Sequence, residues 1–399
     1  MRIVQLNPLG EVYSSTCGGA ISTVIMQQTR HLARRGHDVT VLTVTDGEEL
    51  YSEGRVVRLP PADRHNLSFL RRRLSDLNRR LHRWDVHFYD VYRSGYTEAL
   101  RTLDNSPTAI IVHNDLITPR YLRNIFPASK IICWLHNEQR TNHRHLAESL
   151  EAADAFMCVS DHIRRWTASR YSIPDHKLRT MVNGADVEAF TPRADLNQAN
   201  CSPKVLFLGR IDPNKGPDLV VDAVAELRRR GTPAHLTVAG SLWFQNRGNE
   251  MSDPFFRALR EKMTALGADY RGHVPRRDVP ELVRQHDIVC VLSRSEDPCP
   301  LVPLEAMASG CAVIASRRGG LPQACGSAAL LVDPDEFSSI VDAMQTLAGD
   351  PATLMARKLL SLDHARQNTW AHRANELEQM LRDLVAAQPA QKKPAVVLA

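Results

Sequence analysis

The chain repeats one pattern twice: short apolar strands alternate with amphipathic helical segments. The first series contains RIVQLN, TAIIVHND, KIICWLHNE and AFMCVS, and the second contains KVLFLGR, AHLTVAG, IVCVLS and CAVIAS. Continuous apolar strands between helices are typical of parallel sheets that are covered on both faces. The sequence therefore predicts an α/β fold with two doubly wound, Rossmann-like domains.

A polar, proline-bounded segment at residues 191–203 separates the two series and is typical of a linker. We predict a first domain over residues 1–190 and a second domain over residues 204–365. Residues 366–388 are predicted to form a C-terminal helix that returns towards the first domain, and residues 389–399 to form a loose tail.

Composition and charge narrow the class of protein. Of the 399 residues, 43% are apolar and 24% are charged, as in soluble globular proteins, and a net charge of +5 is too small to indicate a nucleic-acid partner. The eight cysteines lack CxxC spacing, and several, such as Cys133, Cys158 and Cys290, lie in apolar strands, which predicts buried thiols rather than disulfides or a zinc site. Without a signal peptide or an apolar run of about 18 residues, we expect a cytoplasmic protein.

Arginines cluster between Phe69 and Trp84 in the segment FLRRRLSDLNRRLHRW. Its apolar residues recur at helical spacing and predict an amphipathic helix: Leu70, Leu74, Leu77, Leu81 and Trp84. Such a helix either packs on the core with a solvated basic face, or contacts anionic lipid at the inner face of the membrane or an anionic acceptor. We favour the first interpretation because basic solvated faces are common.

Two cations flank the turn that follows the first strand of the second series. In GRIDPNKGPDLVV, Arg210 and Lys215 stand between a strand and a helix. Arginine offers a planar fork and lysine a point charge, which together suit a diphosphate. Taken alone, the pair would more simply be two exposed loop cations, because the motif is short.

The segment SEDPCPLVPLEAMASG carries carboxylates at both ends of a proline-rich turn. Pro303 is compatible with a helix only in its first turn, so the helix should begin close to Leu301. Amides at such a helix start can bind phosphate. Glu305 can then accept hydrogen bonds from a ribose diol, while Asp297, eight residues earlier, reaches hydroxyl groups at the other end of the same ligand.

These two segments resemble the donor motifs of the retaining GT-B glycosyltransferases, the group 1 family that includes phosphatidylinositol mannosyltransferase, glycogen synthase and spore-coat-associated relatives. In that family, two acids spaced as E-x7-E mark the donor site. The resemblance covers most of the chain: a GG loop near the start, a mid-chain histidine, an NGxD turn and both donor motifs follow in order. It implies two Rossmann-like domains that face each other across a cleft.

The resemblance also implies an activity. The chain would be a hexosyltransferase that moves a sugar from a nucleotide diphosphate donor, most often UDP-linked, to an acceptor hydroxyl with retention of configuration. The acceptor would be a glycan, a lipid-linked molecule or a small polar molecule. No divalent metal or other cofactor is expected, because two cations would neutralise the leaving group.

Carried over to the second domain, the resemblance implies that Arg210 and Lys215 hold the diphosphate, Glu305 the ribose, and Asp297 the transferred sugar. Asp297 stands where most relatives have Glu, and Glu296 precedes it directly.

The resemblance further assigns two loops to the donor phosphates. Pro300 belongs to the turn in which the amides of Leu301 and Val302 would meet the phosphate. In the first domain, Gly18 and Gly19 would let their loop approach the diphosphate and the acceptor closely, because they have no Cβ.

His136, in WLHNE, matches the family's histidine at the end of a first-domain strand and would contact the donor sugar. Asn114 and Asp115 end a neighbouring strand, so they either contact the acceptor or cap a loop. His136, His143 and His145 do not predict a metal site, since arginines intervene and no carboxylate or cysteine pattern accompanies them.

Other functions are less consistent with the sequence. A UDP-sugar 2-epimerase would need acid and base carboxylates at the sugar, and the DPCPLVPLEAM segment argues against that function. A non-catalytic coat or scaffold protein with a relic donor site should have lost Arg210, Lys215 or Glu305, and all three are present. A nicotinamide dehydrogenase would need G-x-G-x-x-G, which the CGG segment lacks.

Overall fold

The computed structural model describes residues 1–8, 11–14, 16, 19–45, 47–59, 96, 99–101, 103, 106–196, 202–242 and 250–387. Gly18, the basic segment from Phe69 to Trp84 and the tail at residues 389–399 lie outside the described residues. The predictions for these three parts of the chain therefore stay predictions.

The first domain is built on a seven-stranded parallel sheet with the strand order β3-β2-β1-β4-β5-β6-β7. Its strands are β1 (Arg2–Leu6), β2 (Asp38–Val44), β3 (Arg55–Leu59), β4 (Ala109–His113), β5 (Lys130–Leu135), β6 (Ala155–Cys158) and β7 (Leu178–Thr180). The strand order reverses between β1 and β4. In open α/β sheets, ligands bind beyond the carboxyl ends of the strands at such a reversal.

The second domain is built on a six-stranded parallel sheet with the order β10-β9-β8-β11-β12-β13. Its strands are β8 (Lys204–Leu208), β9 (His235–Ala239), β10 (Asp269–Gly272), β11 (Ile288–Val291), β12 (Ala312–Ser316) and β13 (Leu330–Val332). Here the order reverses between β8 and β11, which are the strands that precede the two predicted donor motifs.

Twelve helices lie among the described residues, and several begin where the sequence supplies a cap. They are α1 (Ala20–Arg34), α2 (Thr118–Ile125), α3 (Leu146–Ala152), α4 (Asp161–Arg170), α5 (Pro217–Arg229), α6 (Pro254–Leu266), α7 (Val279–Arg284), α8 (Val302–Ala308), α9 (Leu321–Cys325), α10 (Phe337–Gly349), α11 (Pro351–Gln367) and α12 (Trp370–Ala386). Asp253, Asp350 and Thr369 cap α6, α11 and α12 by accepting bonds from backbone N–H groups. The predicted fold of two Rossmann-like domains is confirmed.

The central strands of both sheets are buried, as their apolar sequences predict, whereas the edge strands β3 and β10 are partly exposed. Cys133, Cys158 and Cys290 lie in the two cores as free thiols, and burial raises the pKa of Cys290 to about 12. These side chains therefore act as small apolar residues.

The C-terminal helix α12 packs on the first domain. Trp370, Leu377 and Leu381 belong to the same apolar cluster as the strands β5 and β6, and α12 lies against α1. Glu378 of α12 accepts a hydrogen bond from Arg35 Nε, and its Oε1 lies 3.2 Å from His37 Nε2. The end of the described chain therefore braces the domain in which the chain begins. Within the described residues, no helix combines the length and apolarity needed to cross a membrane.

A buried ion cluster ties the linker to the second domain. Asp287 is fully buried just before β11, and its Oδ1 accepts bonds from Lys358 Nζ at 2.5 Å and from Arg193 Nη2 at 2.9 Å. Its Oδ2 accepts a bond from the Lys204 backbone N–H at 2.9 Å. Burial opposes the charge of Asp287, but these bonds keep the pKa of the carboxyl below its usual value. One carboxylate thus joins the linker, β8 and α11.

We expect Asp287→Asn to lower the free energy of unfolding by about 3–5 kcal/mol, because the buried Lys358 would lose its counter-charge and Arg193 would keep only Asp195 as an acidic partner among the described residues. Denaturant unfolding would measure this loss. Asp222→Asn is the matched control: Asp222 pairs with Lys262 at 2.7 Å on the surface, where an ion pair contributes about 0–1 kcal/mol. Equal losses in the two variants would contradict the assignment.

Candidate active site

The loop after β8 is held against the end of β11 by a glycine. The side chain of Asp212 accepts a bond from the N–H of Asn214 at 2.8 Å and begins the turn Pro213–Lys215. The turn ends at Gly216, whose φ is +66°. A Cβ at Gly216 would lie 2.2 Å from the carbonyl oxygen of Leu292. Only glycine therefore allows the first donor motif to lie directly on the strand that leads into the second.

Arg294 joins the two predicted donor motifs through hydrogen bonds. Its Nη1 donates to the carbonyl of Pro213 at 2.7 Å, and its guanidinium binds both oxygens of Asp218 at 2.8 and 2.6 Å. Its backbone N–H donates to the carbonyl of Asn214 at 2.8 Å. No local pattern in the sequence identifies Arg294, since its partners lie more than seventy residues earlier in the chain.

The structure brings Lys215 and Asp297 into direct contact. Lys215 Nζ lies 2.5 Å from Asp297 Oδ2, and Ser293 Oγ donates to the same oxygen at 3.0 Å. Asp297 is buried, with 6% of its surface exposed. Arg210, on the same loop as Lys215, is partly exposed, with its Nη1 3.8 Å from Asp212 Oδ2. The predicted phosphate cation and the predicted sugar-binding acid are therefore neighbours.

Glu296 occupies a different position from Asp297. Its side chain is half exposed and accepts a hydrogen bond from the backbone N–H of Gly319. Its Oε2 lies 3.9 Å from His162 Nδ1 in the first domain. Of the two adjacent acids, Asp297 is the one beside Lys215.

The loop RGGLPQ, at residues 318–323, fixes the position of Asp297. Gly319 has a φ of +56°, and a Cβ there would lie 2.3 Å from the carbonyl oxygen of Asp297. A Cβ at Gly320 would lie 1.8 Å from the carbonyl oxygen of Pro298, and the N–H of Gly320 donates to the carbonyl of Asp297 at 2.7 Å. These contacts fix the position of Asp297, and a side chain at either glycine would displace the Asp297 backbone.

The second acid, Glu305, lies in the first turn of α8. The helix begins at Val302, after Pro300 and Leu301, and no side chain caps it among the described residues. Glu305 is 3% exposed and accepts a bond from Arg276 Nη2 at 2.5 Å. Pro300, Leu301 and Val302 therefore stand between the two acids at an uncapped helix start.

Arg276 is a site residue that the sequence did not reveal. Its guanidinium carbon lies 5.2 Å from the centre of the Phe190 ring, and it pairs with Glu305. Burial lowers the pKa of Arg276, but the charge of Glu305 and the hydrogen bond to it outweigh burial and leave the pKa above its usual value. Arg276 follows β10, 29 residues before Glu305, so no local pattern links the two.

In the first domain, Asn114 fixes the backbone of His136. Asn114 has a φ of +54°, its backbone N–H donates to the carbonyl of Trp134 at 2.9 Å, and its Oδ1 accepts from the His136 N–H at 2.7 Å. Asp115 caps α2: its carboxylate accepts bonds from the N–H groups of Ile117 and Thr118. Both side chains bind the protein's own backbone, so contact with an acceptor stays a prediction for them.

His136 lies at the end of β5 against two other rings. Its Nε2 is 2.9 Å from Nδ1 of His113, and both rings stack with Trp134. Burial lowers the pKa of His136 to about 3, so its imidazole is neutral at physiological pH. His113 is a second residue that the sequence analysis missed, although it ends β4 at the strand reversal.

Because Gly19 has no side chain, the carboxylate of Glu11 can lie against it. A Cβ at Gly19 would lie 2.6 Å from the carboxyl carbon of Glu11. Glu11 Oε2 accepts bonds from the N–H and the Oγ of Ser22, at 3.1 and 3.2 Å, in the first turn of α1. Burial raises the pKa of Glu11 above its usual value, although these bonds oppose the rise. In this structure, the space at Gly19 holds the carboxylate of Glu11.

The two domains meet through side chains of both. Gln323 accepts a bond from the N–H of Asp161 at 2.7 Å and donates to its Oδ2 at 3.1 Å. Asn183 Nδ2 donates to the carbonyl of Cys299 at 2.7 Å. The amide of Gln323 can both donate and accept, so it matches the two groups of Asp161.

Within the described residues, no group of three or more His, Cys, Asp or Glu side chains has the geometry of a metal site. His145 Nδ1 lies 3.2 Å from Glu148 Oε1, and its ring centre is 5.6 Å from that of His143. Arg318 Nη2 binds both Asp333 and Asp335, which stand in the turn after β13.

Two family models match the chain. The model "Glycosyltransferase Family 4" covers residues 18–189, and the model "Glycosyl transferases group 1" covers residues 190–359. A D-inositol 3-phosphate glycosyltransferase of Corynebacterium aurimucosum is 26% identical and is aligned over 97% of each chain.

Solved structures share the fold. The sucrose-phosphate synthase of Thermosynechococcus elongatus superposes with a TM-score of 0.73 at 20% identity, over 97% of this chain and 99% of that one. HepE of Anabaena, in complex with UDP and glucose, gives a TM-score of 0.69 at 15% identity, over 96% of this chain and all of that one.

The fold and the paired donor motifs define a sugar-transfer enzyme with two Rossmann-like domains. The chain belongs to the group 1 glycosyltransferases of the GT-B fold. The family that the sequence motifs indicated is therefore confirmed.

We expect Arg276→Met to lower the free energy of unfolding by about 3–5 kcal/mol, because the buried carboxylate of Glu305 would lose its cation and a charge-assisted hydrogen bond. Denaturant unfolding would measure the change. Arg277→Met is the matched control, because the neighbouring arginine side chain is 82% exposed and pairs only loosely with Asp278 at 3.8 Å. If Arg276→Met were as stable as Arg277→Met, the pairing with Glu305 would not hold this part of the structure together.

Proposed function

We propose that this glycosyltransferase moves a sugar from a UDP-sugar to an acceptor hydroxyl with retention of configuration and without a divalent metal. The contact between Lys215 and Asp297 supports the proposal most directly, because a lysine can bind phosphate and the buried acid beside it can accept hydrogen bonds from sugar hydroxyls. Glu305, one helical turn into α8, supplies the second acid for the ribose. Structural neighbours in complex with UDP and UDP-glucose support the choice of nucleotide.

The reaction is a front-side displacement. The bond between the anomeric carbon and the diphosphate oxygen breaks, and the acceptor oxygen bonds to that carbon on the same face. The acceptor proton passes to the departing diphosphate oxygen, so the protein supplies neither nucleophile nor base. Arg210, Lys215 and the amides of Leu301 and Val302 stabilise the negative charge that develops on the leaving group. Positioning and electrostatic stabilisation of this kind account for large rate enhancements.

Lys215 would exchange partners when the donor binds. In the structure, its ammonium group neutralises Asp297, and a diphosphate would compete for the same cation. Asp297 would then compensate by accepting hydrogen bonds from sugar hydroxyls, while Ser293 continues to donate to Oδ2. The donor must therefore offer phosphate and hydroxyl groups together, which a nucleotide sugar does.

The neutral ring of His136 suits the sugar side of the cleft. Positive charge develops on the anomeric carbon and the ring oxygen as the leaving group departs, and a protonated imidazole there would repel it. Because burial lowers the pKa of His136 to about 3, the ring stays uncharged at working pH.

A small phosphorylated polyol or sugar is the acceptor class that we propose. The relatives named for D-inositol 3-phosphate act on a molecule of this class. The loop that follows His136 carries the exposed cations Arg140 and Arg144, which can bind an acceptor phosphate. No specific observation favours a 2-epimerase or a non-catalytic scaffold.

The test is release of nucleotide from a panel of nucleotide sugars by the purified protein in the presence of EDTA. We expect one UDP-sugar to be hydrolysed slowly and to be consumed faster when phosphorylated polyols are added. Arg210→Ala and Glu305→Gln should each lower the rate by about 100-fold or more, because each removes a group that binds the donor. Proton NMR of the product should show the anomeric configuration of the donor.

The control variant is Arg229→Ala, whose guanidinium pairs with Glu226 on the exposed face of α5. It should retain the full rate. Dependence on an added divalent metal would contradict the metal-independent mechanism, and an inverted product would contradict retention. Failure of the wild-type protein to bind any nucleotide would contradict the proposed function as a whole.

A further inference from the structure

A tyrosine hydroxyl anchors the loop that joins β5 to α3. This loop, residues 136–145, carries the exposed cation Arg140. Tyr171, the residue that follows α4, donates its hydroxyl proton to the carbonyl of Gln139 and accepts a bond from the backbone N–H of Thr141 at 3.0 Å. A hydroxyl group has one proton and two lone pairs, so it can make both bonds at once. The two bonds lie on either side of Arg140.

These two bonds restrict the backbone of Arg140. The carbonyl before Arg140 and the N–H after it are tied to the same oxygen atom, so the backbone between them cannot rotate freely. Tyr171 is itself fixed, since only 8% of its surface is exposed and its ring packs edge-on against Trp166, with the ring centres 6.1 Å apart. The exposed side chain of Arg140 therefore extends from a fixed backbone.

A row of polar contacts places Arg140 beside the donor segment of the second domain. Arg140 Nη2 donates to Glu138 Oε2 at 3.2 Å, and Glu138 Oε1 lies 3.3 Å from His162 Nε2. His162 Nδ1 in turn lies 3.9 Å from Oε2 of Glu296, which directly precedes Asp297. The loop after β5 therefore borders the cleft next to the predicted donor acid.

The guanidinium of Arg140 is accessible to an anion that enters the cleft. Its side chain is 74% exposed, and among the described residues it hydrogen-bonds to Glu138 alone. Exposed ion pairs of this kind contribute little to stability, so an incoming phosphate can displace the carboxylate. Glu138 would then keep His162 as its partner. A guanidinium offers phosphate two parallel N–H bonds, which the point charge of a lysine does not.

We propose that Arg140 binds the phosphate of the acceptor and that Tyr171 is the positioning residue that presents Arg140 to it. The inference rests on the proposed function and deepens it, because it selects one of the two exposed arginines of the loop. The other, Arg144, is not flanked by the bonds of Tyr171. Tyr171 does not touch the acceptor, so binding of phosphate should depend on it while cleavage of the donor should not.

The anchor is tested by amide hydrogen exchange of the full chain, measured by NMR. Tyr171→Phe keeps the ring in the core but removes the hydroxyl, so the N–H of Thr141 loses its acceptor and should exchange about tenfold faster. Tyr121→Phe is the matched control, because Tyr121 lies on α2 and its hydroxyl hydrogen-bonds to no described residue. An unchanged exchange rate at Thr141 in Tyr171→Phe would overturn the anchor.

The phosphate site is tested with inorganic phosphate, whose binding is measured by ³¹P NMR on protein saturated with UDP, so that the donor site is filled. Arg140→Gln should weaken this binding about tenfold, because the planar cation is lost. Tyr171→Phe should weaken it about threefold, because a less ordered Arg140 must be fixed on binding. Tyr121→Phe should leave it unchanged. If Arg140→Gln bound phosphate as tightly as the wild type, the assignment of Arg140 would be wrong.

The positioning role is tested by combining the two changes. If Tyr171 acts through Arg140, the double variant should bind phosphate as weakly as Arg140→Gln alone, so the two effects should not add. Additive losses would show that Tyr171 supports the site by another route and would overturn its assignment. Hydrolysis of the UDP-sugar without acceptor should proceed at the wild-type rate in Tyr171→Phe. A lower rate there would mean that Tyr171 only stabilises the domain.

Sugar transfer separates this inference from the proposed function. In Tyr171→Phe, KM for a phosphorylated acceptor should rise about threefold at unchanged kcat, and the unphosphorylated counterpart should show no change. If the wild type bound UDP and phosphate as expected but transferred no sugar, the proposed transfer would be refuted and the phosphate site at Arg140 supported. If it transferred sugar with equal kcat/KM to both acceptors, the transfer would be supported and this inference refuted.

Discussion

Two buried carboxylates, each neutralised by one cation, are the constraint on which the site depends. Asp297 pairs with Lys215, and Glu305 pairs with Arg276. A carboxylate held away from water is strongly unfavourable unless a cation contacts it. The loops that carry the two cations must therefore lie against the α8 segment, and Gly216 permits one of these approaches because it has no Cβ. The ion pairs therefore require this loop geometry, and the loop geometry in turn allows the ion pairs to form.

The linker and the C-terminal helix hold the two domains in one arrangement. A Cβ at Gly184 would lie 2.6 Å from the backbone nitrogen of Trp370, so the NGAD turn packs directly on the start of α12. Asn183 in the same turn binds the carbonyl of Cys299, between the two site acids. The residues that lead into the linker therefore contact both the donor segment and the helix that braces the first domain. A change in the angle between the domains would have to break or move these contacts together.

The sequence was sufficient for the features that have local signatures. Short apolar strands that alternate with helices predict the two sheets. Pro303, followed two residues later by Glu305, marks the start of α8. Arg276 and His113 have no such signature, because their partners Glu305 and Gln5 lie 29 and 108 residues away. Only the order of strands in the sheets brings these residues together. Single-sequence patterns do not encode that order.

The proposed reaction divides its electrostatic demands between the two domains. The second domain holds the charged half, where the cations Lys215 and Arg210 would face the leaving diphosphate. The first domain holds the uncharged half, where the ring of His136 is neutral because it is buried. A cation on the sugar side would oppose the charge that develops there, while an uncharged phosphate side would leave the diphosphate unstabilised. Burial of His136 is therefore as much a requirement of the proposed reaction as the cations across the cleft.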